Sequence, residues 1–147
     1  MSRTILYPTD GSEHSERVES VIADFADEND TVIILHVVPE IPGASVSDVV
    51  DPINLEEELT EATLNITQKA AERLEDAGLR TETNMVHGDP GEIICNAVED
   101  RDADAIFMGR RGRGTTGELL LGSVSHYVIH HADCPVMVSS PSTSSED

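Results

Sequence analysis

The chain holds 147 residues, with 29 acidic side chains against eight arginines and one lysine, for a formal net charge of −20. That length fits one domain that buries roughly 70% of its unfolded surface, enough for a self-sufficient core. Acid spread along the whole chain makes nucleic acid a poor partner, and no uninterrupted apolar stretch approaches the roughly 20 residues that span a bilayer as a helix.

The opening Met1-Ser2-Arg3 passes at once into a short apolar strand, Thr4 to Tyr7, with no charged-then-apolar leader, so a soluble, cytosolic protein is expected. Val18, Val21, Ile22 and Phe25 then recur at i, i+3, i+4 and i+7, the mark of an amphipathic helix. Thr31 to Val38 is a second β-branched run, and Leu55, Leu59, Ala62, Ile66, Ala70, Leu74 and Ala77 trace a long helix stopped by Gly78. Between them, Pro39 to Asn54 reads as a 16-residue loop with three prolines, either a lid over a site or plain disorder.

Arg80 to His87 alternates weakly, as an edge strand does, and Ile93, Ile94, Ala97 and Val98 mark a short helix before the strand Ala105 to Met108. A last helix begins near Ser123 with Val124, Tyr127, Val128 and His131 on one stripe, followed by a fifth strand, Pro135 to Ser139. Residues 1–139 are expected to form one domain and 140–147 a disordered acidic tail. Strict βαβαβαβαβ alternation with near-continuous apolar strands predicts an α/β, doubly wound, Rossmann-like fold: a five-stranded parallel sheet, order 3-2-1-4-5, with helices on both faces. The ligand crevice of that order lies at the carboxyl ends of strands 1 and 4.

Both ends carry chemistry. Strand 4 runs into Gly109-Arg110-Arg111-Gly112-Arg113-Gly114, then Gly117 and Gly122-Ser123, so three of the nine cations of an acidic chain sit in one strand-to-helix turn. Glycines let backbone N–H groups converge on phosphate at a helix entrance. Gly109 and Gly114 stand at Walker spacing, but no lysine follows and Lys69 is the only one in the chain, which excludes the P-loop mechanism. Strand 1 delivers Pro8-Thr9-Asp10-Gly11-Ser12, in which Asp10 can accept a ligand hydroxyl or amine, help hold a divalent cation, or cap the first helix.

Other candidates read as ordinary. Cys95 and Cys134 have no neighbour at metal-ligand spacing and fit small core residues, not a disulfide. His126 and His130 stand at i, i+4 beside His131, a spacing that can bind metal, but no carboxylate or cysteine completes a set. A polar helix face is the expected reading there, with no structural metal, and His14, His36 and His87 are scattered singles. Distributed acid with almost no lysine is similar to the surfaces of proteins from halophilic cells. Near 1 M salt the Debye length falls to about 3 Å, which largely erases repulsion of an anionic ligand.

The spacing Gly109-x-x-Gly112, nine residues, Gly122-Ser123 resembles the nucleotide pattern of the universal stress protein family, in its ATP-binding branch. Tyr7 to Ser12, Leu35 to Val38, Gly88 to Ile94 and His131 to Val138 also look like family segments. The resemblance implies that Pro8, Thr9 and Asp10 make first-turn contacts and that Val38 lies beside adenine. It implies further that Met108, Gly109, Gly112, Gly122, Ser123, Val124 and Ser125 hold phosphate and ribose. The implied cofactor is ATP with Mg2+, and the implied function a nucleotide-dependent stress sensor or regulator with little or no turnover. A slow Mg-dependent ATPase and a nucleotide-free interaction module are the alternatives. The apolar edge of strand 5, Pro135 to Ser139, invites pairing with a second copy, and the family commonly dimerises there.

Overall fold

The computed structural model describes residues 2–9, 15–38, 52–109 and 123–139, with backbone only for Ser15 and residues 52–63. In chain order the elements are β1 (Thr4–Pro8), α1 (Ser15–Phe25), β2 (Thr31–Val38), α2 (Pro52–Asp76), β3 (Arg80–His87), α3 (Pro90–Arg101), β4 (Ala105–Gly109), α4 (Ser123–His131) and β5 (Val136–Ser139). The strands form one sheet ordered β3-β2-β1-β4-β5, every neighbouring pair parallel, as the alternation of elements predicts.

Side-chain parity on the strands sorts the interior into two layers, the outer layer under α1 and α2 and the inner layer under α3 and α4. Ile5 and Tyr7 of β1, Val32 and Ile34 of β2, and Phe107 of β4 pack with Val18 and Ile22 of α1 and Ala70, Ala71 and Leu74 of α2. The alternate residues Leu6, Ile33, Leu35, Ile106 and Met108 pack with Ile94 and Val98 of α3 and Val128 of α4. Successive strand residues point to opposite faces, so a sheet covered on both sides needs an unbroken apolar run. β1, β2 and β4 supply it, whereas β3 at the edge keeps most of its side chains in water.

Boundaries differ from expectation where proline and capping decide them. The long helix starts at Pro52, so Pro52, Ile53 and Asn54 are helical and not loop; proline is tolerated in a first turn, whose N–H groups lack intrahelical acceptors. Residues 39–51 of the expected loop, and its lid reading, lie outside the described residues, as do 140–147. α3 begins three residues before Ile93, because Asp89 caps it by accepting from the Glu92 N–H at 3.3 Å and Pro90 opens its first turn. Gly88, at φ +147°, makes the turn from β3 into that cap, a conformation that only glycine adopts readily. β5 starts at Val136, one residue later than expected.

Candidate functional site

The sheet opens where its winding reverses. β1 stays paired with β2 along its length, from Thr4↔Thr31 to Pro8↔Leu35. With β4 it pairs at Ile5↔Ala105 and Leu6↔Ile106, while both strands continue beyond those positions. The carboxyl ends of β1 and β4 thus form two lips of a crevice, the place where open α/β sheets receive ligands.

On the β1 lip, Pro8 is buried and Thr9 follows as a half-buried residue. Thr9 is tied to β2 twice: its N–H donates to the Leu35 carbonyl at 2.9 Å, and its own carbonyl lies 2.7 Å from His36 Nδ1. A carbonyl only accepts, so the imidazole carries its proton on Nδ1 here. Val38, at the end of β2, accepts at its carbonyl from the Gly88 N–H at 3.0 Å. That bond ties the turn after β3 to the same rim.

β1 is anchored from below by a polar knot that sequence reading missed. The Tyr7 hydroxyl donates to Glu19 Oε2 at 2.7 Å, and Arg73 of α2 donates from Nε to Oε1 and from Nη2 to Oε2 at 2.8 Å. Glu19 is 5% exposed and Tyr7 fully buried, so the carboxylate has left water and is held by a bidentate guanidinium and a phenol. The Arg73 guanidinium is correspondingly held above its ordinary range, first by its bond to Glu19. The available signal was an acid at Glu19 beside Val18 and three residues before Ile22, inside the apolar arc of α1.

On the β4 lip, Met108 is 5% exposed and belongs to the inner layer, while Gly109 at the strand end is half-buried. α4 opens at Ser123, so the N–H groups of Ser123 and Val124 stand in the first turn, where a helix offers no internal acceptor. No acidic side chain lies in that first turn, in a chain with 29 acids. Within that turn no acid opposes the positive end of the helix dipole, a setting that suits an anion. Ser125 is buried and Ser123 exposed. α4 is braced by α3 at close range: a Cβ on Gly91 would stand 2.6 Å from the Tyr127 ring.

Of the expected site residues, Pro8, Thr9, Val38, Met108, Gly109, Ser123, Val124 and Ser125 lie among the described residues, at the ends of β1, β2 and β4 and the start of α4. Asp10, Gly112, Gly122 and the arginines 110, 111 and 113 lie outside them. His126 and His130 are exposed, with ring centroids 4.4 Å apart, and His131 stacks on Tyr127 at 4.0 Å. Among the described residues no three His, Cys, Asp or Glu side chains gather as a metal cluster. Cys95 and Cys134 are half-buried beside the inner layer. Desolvation, then nearby carboxylates, pushes both thiols up, which keeps them protonated and poorly nucleophilic. Among the described residues, no helix is long and apolar enough to cross a membrane.

The geometry has counterparts in known proteins. Universal stress protein MJ0577 of Methanocaldococcus jannaschii is 33% identical, with 94% of each chain aligned. A solved structure of MJ0577 superposes with a TM-score of 0.85 at 35% identity, covering 96% of this chain and 97% of that one. A Thermus aquaticus universal stress protein is 32% identical, over 94% of this chain and 98% of its own. A universal stress protein solved in complex with cAMP superposes at a TM-score of 0.71 and 26% identity, covering 95% and 98% of the two chains. The model of the universal stress protein family matches residues 1–140. Fold, strand order and near-full-length similarity agree, and the chain belongs to the universal stress protein family.

Proposed function

We propose that this chain binds an adenine nucleotide, ATP with Mg2+, between the β1 and β4 lips and works as a nucleotide-dependent stress-response regulator with little or no turnover. The observation that carries the reading is the acid-free first turn of α4, which opens beyond the end of β4 at the point where the sheet splits. Pro8, Thr9, Asp10 and Val38 would hold adenine and ribose. Met108, Gly109, Gly112, Gly122, Ser123, Val124 and Ser125 would hold phosphate and ribose. The cAMP complex of a relative supports an adenine nucleotide as the ligand class.

Slow turnover follows from what catalysis needs: a positioned water, a base and charge on the leaving phosphate. The only lysine, Lys69, is exposed on α2, and Asp10 is the one carboxylate that the sequence brings to the β1 turn. Residues 1–139 form the single functional domain in this reading. It pairs with a second copy through the β5 edge, where Met137 is 46% exposed. The acidic surface and protonated thiols fit a reducing, salt-rich cytosol.

Mass spectrometry of ligand released by denaturing the purified protein, paired with ATP titration in molar KCl with and without Mg2+, tests the reading. ATP recovered intact, with binding lost in Gly112→Val, supports it. Phosphate released over many turnovers per minute, and lost in Asp10→Ala, would establish an ATPase instead. An empty protein that ignores ATP would leave an interaction module. A sedimentation mass of one chain at high salt would remove the dimer.

A further inference from the structure

We propose that His36 is a positioning residue for the nucleotide crevice: its Nδ1–H fixes the Thr9 carbonyl and so sets how the chain leaves β1 toward Asp10. The proposal rests on the nucleotide reading above and adds to it a residue that lies outside the expected ligand contacts.

The register explains why a side chain is needed. Pro8 is the last β1 residue paired with β2, opposite Leu35, and the Thr9 N–H closes the following rung on the Leu35 carbonyl at 2.9 Å. The Thr9 carbonyl, one step further, lies beyond the last residue that β1 pairs with β2. His36 stands next to Leu35 and reaches across with Nδ1 to the Thr9 carbonyl at 2.7 Å, a short bond for an N–H donor. Both backbone polar groups of Thr9 are then held by β2, one by backbone and one by imidazole, so the backbone of Thr9 is fixed from one side. Val32 and Ile34, of the same parity as His36, pack in the outer layer with Tyr7, whose hydroxyl is itself fixed by Glu19. His36 thus continues a row of ordered side chains to the half-buried rim.

The chemistry asks for a planar donor one bond beyond Cγ. Asparagine offers Nδ2–H at nearly the same place as Nδ1–H of histidine, whereas leucine and valine fill space without a donor. His36→Asn, His36→Leu and His36→Val separate the donor from bulk, and valine keeps strand preference should leucine fail to fold. ATP affinity is read by titration, fold by thermal melting, and Thr9 amide exchange by NMR without nucleotide. The expected result is wild-type affinity within about twofold for His36→Asn. For the donorless variants it is a loss of about five- to tenfold, the worth of one hydrogen bond, with faster Thr9 exchange in the folded protein. Donorless variants that bind ATP and protect Thr9 like wild type overturn the proposal, as does an asparagine variant that is folded yet as impaired as leucine. Should wild type bind no nucleotide, the functional reading fails by itself, and Thr9 exchange across the same variants still decides whether His36 holds the turn.

Discussion

Replacing Arg73 by methionine tests the polar knot beneath the crevice. The substitution keeps most of the aliphatic stem and removes both guanidinium donors from Glu19, leaving the Tyr7 hydroxyl as the bond shown to remain on a carboxylate whose side chain is 6% exposed. Stripping one partner from a buried ion pair costs about 3–5 kcal/mol, because the remaining charge is left desolvated. Arg73 itself is 42% exposed, so water can enter the vacated space, and the low end, about 3 kcal/mol, is expected. For a domain of this size that corresponds to a Tm lowered by roughly 10 °C. Urea denaturation and thermal melting, read by circular dichroism, give the two numbers independently.

The same reasoning fixes an order among variants. Glu19→Gln keeps volume and one acceptor oxygen but turns the other into an NH2 that faces a donor, so it loses a hydrogen bond along with the charge, for about 1–3 kcal/mol. The double variant Glu19→Leu with Arg73→Met removes both charges and is expected to be more stable than Arg73→Met alone, since a matched apolar pair can equal a buried salt bridge. A double variant less stable than Arg73→Met, or an Arg73→Met cost below about 1 kcal/mol, would refute the claim that Glu19 is held as a desolvated carboxylate.

Asp30 gives a pH test. It is buried, which raises its pKa, but bonds from the Arg3 side chain and from the Asp27 and Arg3 N–H groups outweigh that and lower it overall. A lowered folded pKa adds stability above the unfolded value, about 3.9, that disappears as pH falls through the folded one. The stability gap between wild type and Asp30→Asn, measured by urea titration, therefore narrows below about pH 4, and a gap constant down to pH 2 would contradict this. Gly91→Ala should destabilise by about 1–3 kcal/mol despite alanine's better helix propensity, because its Cβ meets the Tyr127 ring at 2.6 Å. ATP affinity should fall with it, since Tyr127 braces the helix that opens at Ser123; calorimetry checks both. Finally, at net charge −20, Tm should climb between 0.1 and about 1 M KCl as self-repulsion is screened. A flat or falling profile would remove the high-salt reading.

Strand periodicity made the fold legible, because a sheet buried on both faces demands apolar runs and this chain supplies them at β1, β2 and β4. β3 also reads correctly as an edge, since its polar residues leave most of its side chains in water, which a strand at the rim of the sheet permits. Helix starts were less legible: the entry of α2 at Pro52 and of α3 at Pro90 depends on first-turn and capping geometry, which hydrophobic spacing does not register. Among the candidate site residues, Thr9 and Gly109 could be placed from the positions of strand ends. His36 and Glu19 could not. The bond of His36 spans 27 positions and the Glu19–Arg73 pair 54, and each looks in sequence like an unremarkable polar residue until the sheet brings its partner near.

The two paired positions between β1 and β4 make a seam in the sheet. On one side lie three strands stitched along their length; on the other, β4 and β5 pair from Ile106↔Val136 to Gly109↔Ser139. Mechanically this is a board sawn part-way through from its carboxyl edge. In the nucleotide reading, a ligand touching both lips would close that cut like a clasp, adding a third tie between panels already joined on each face by the side-chain layers that cross the seam.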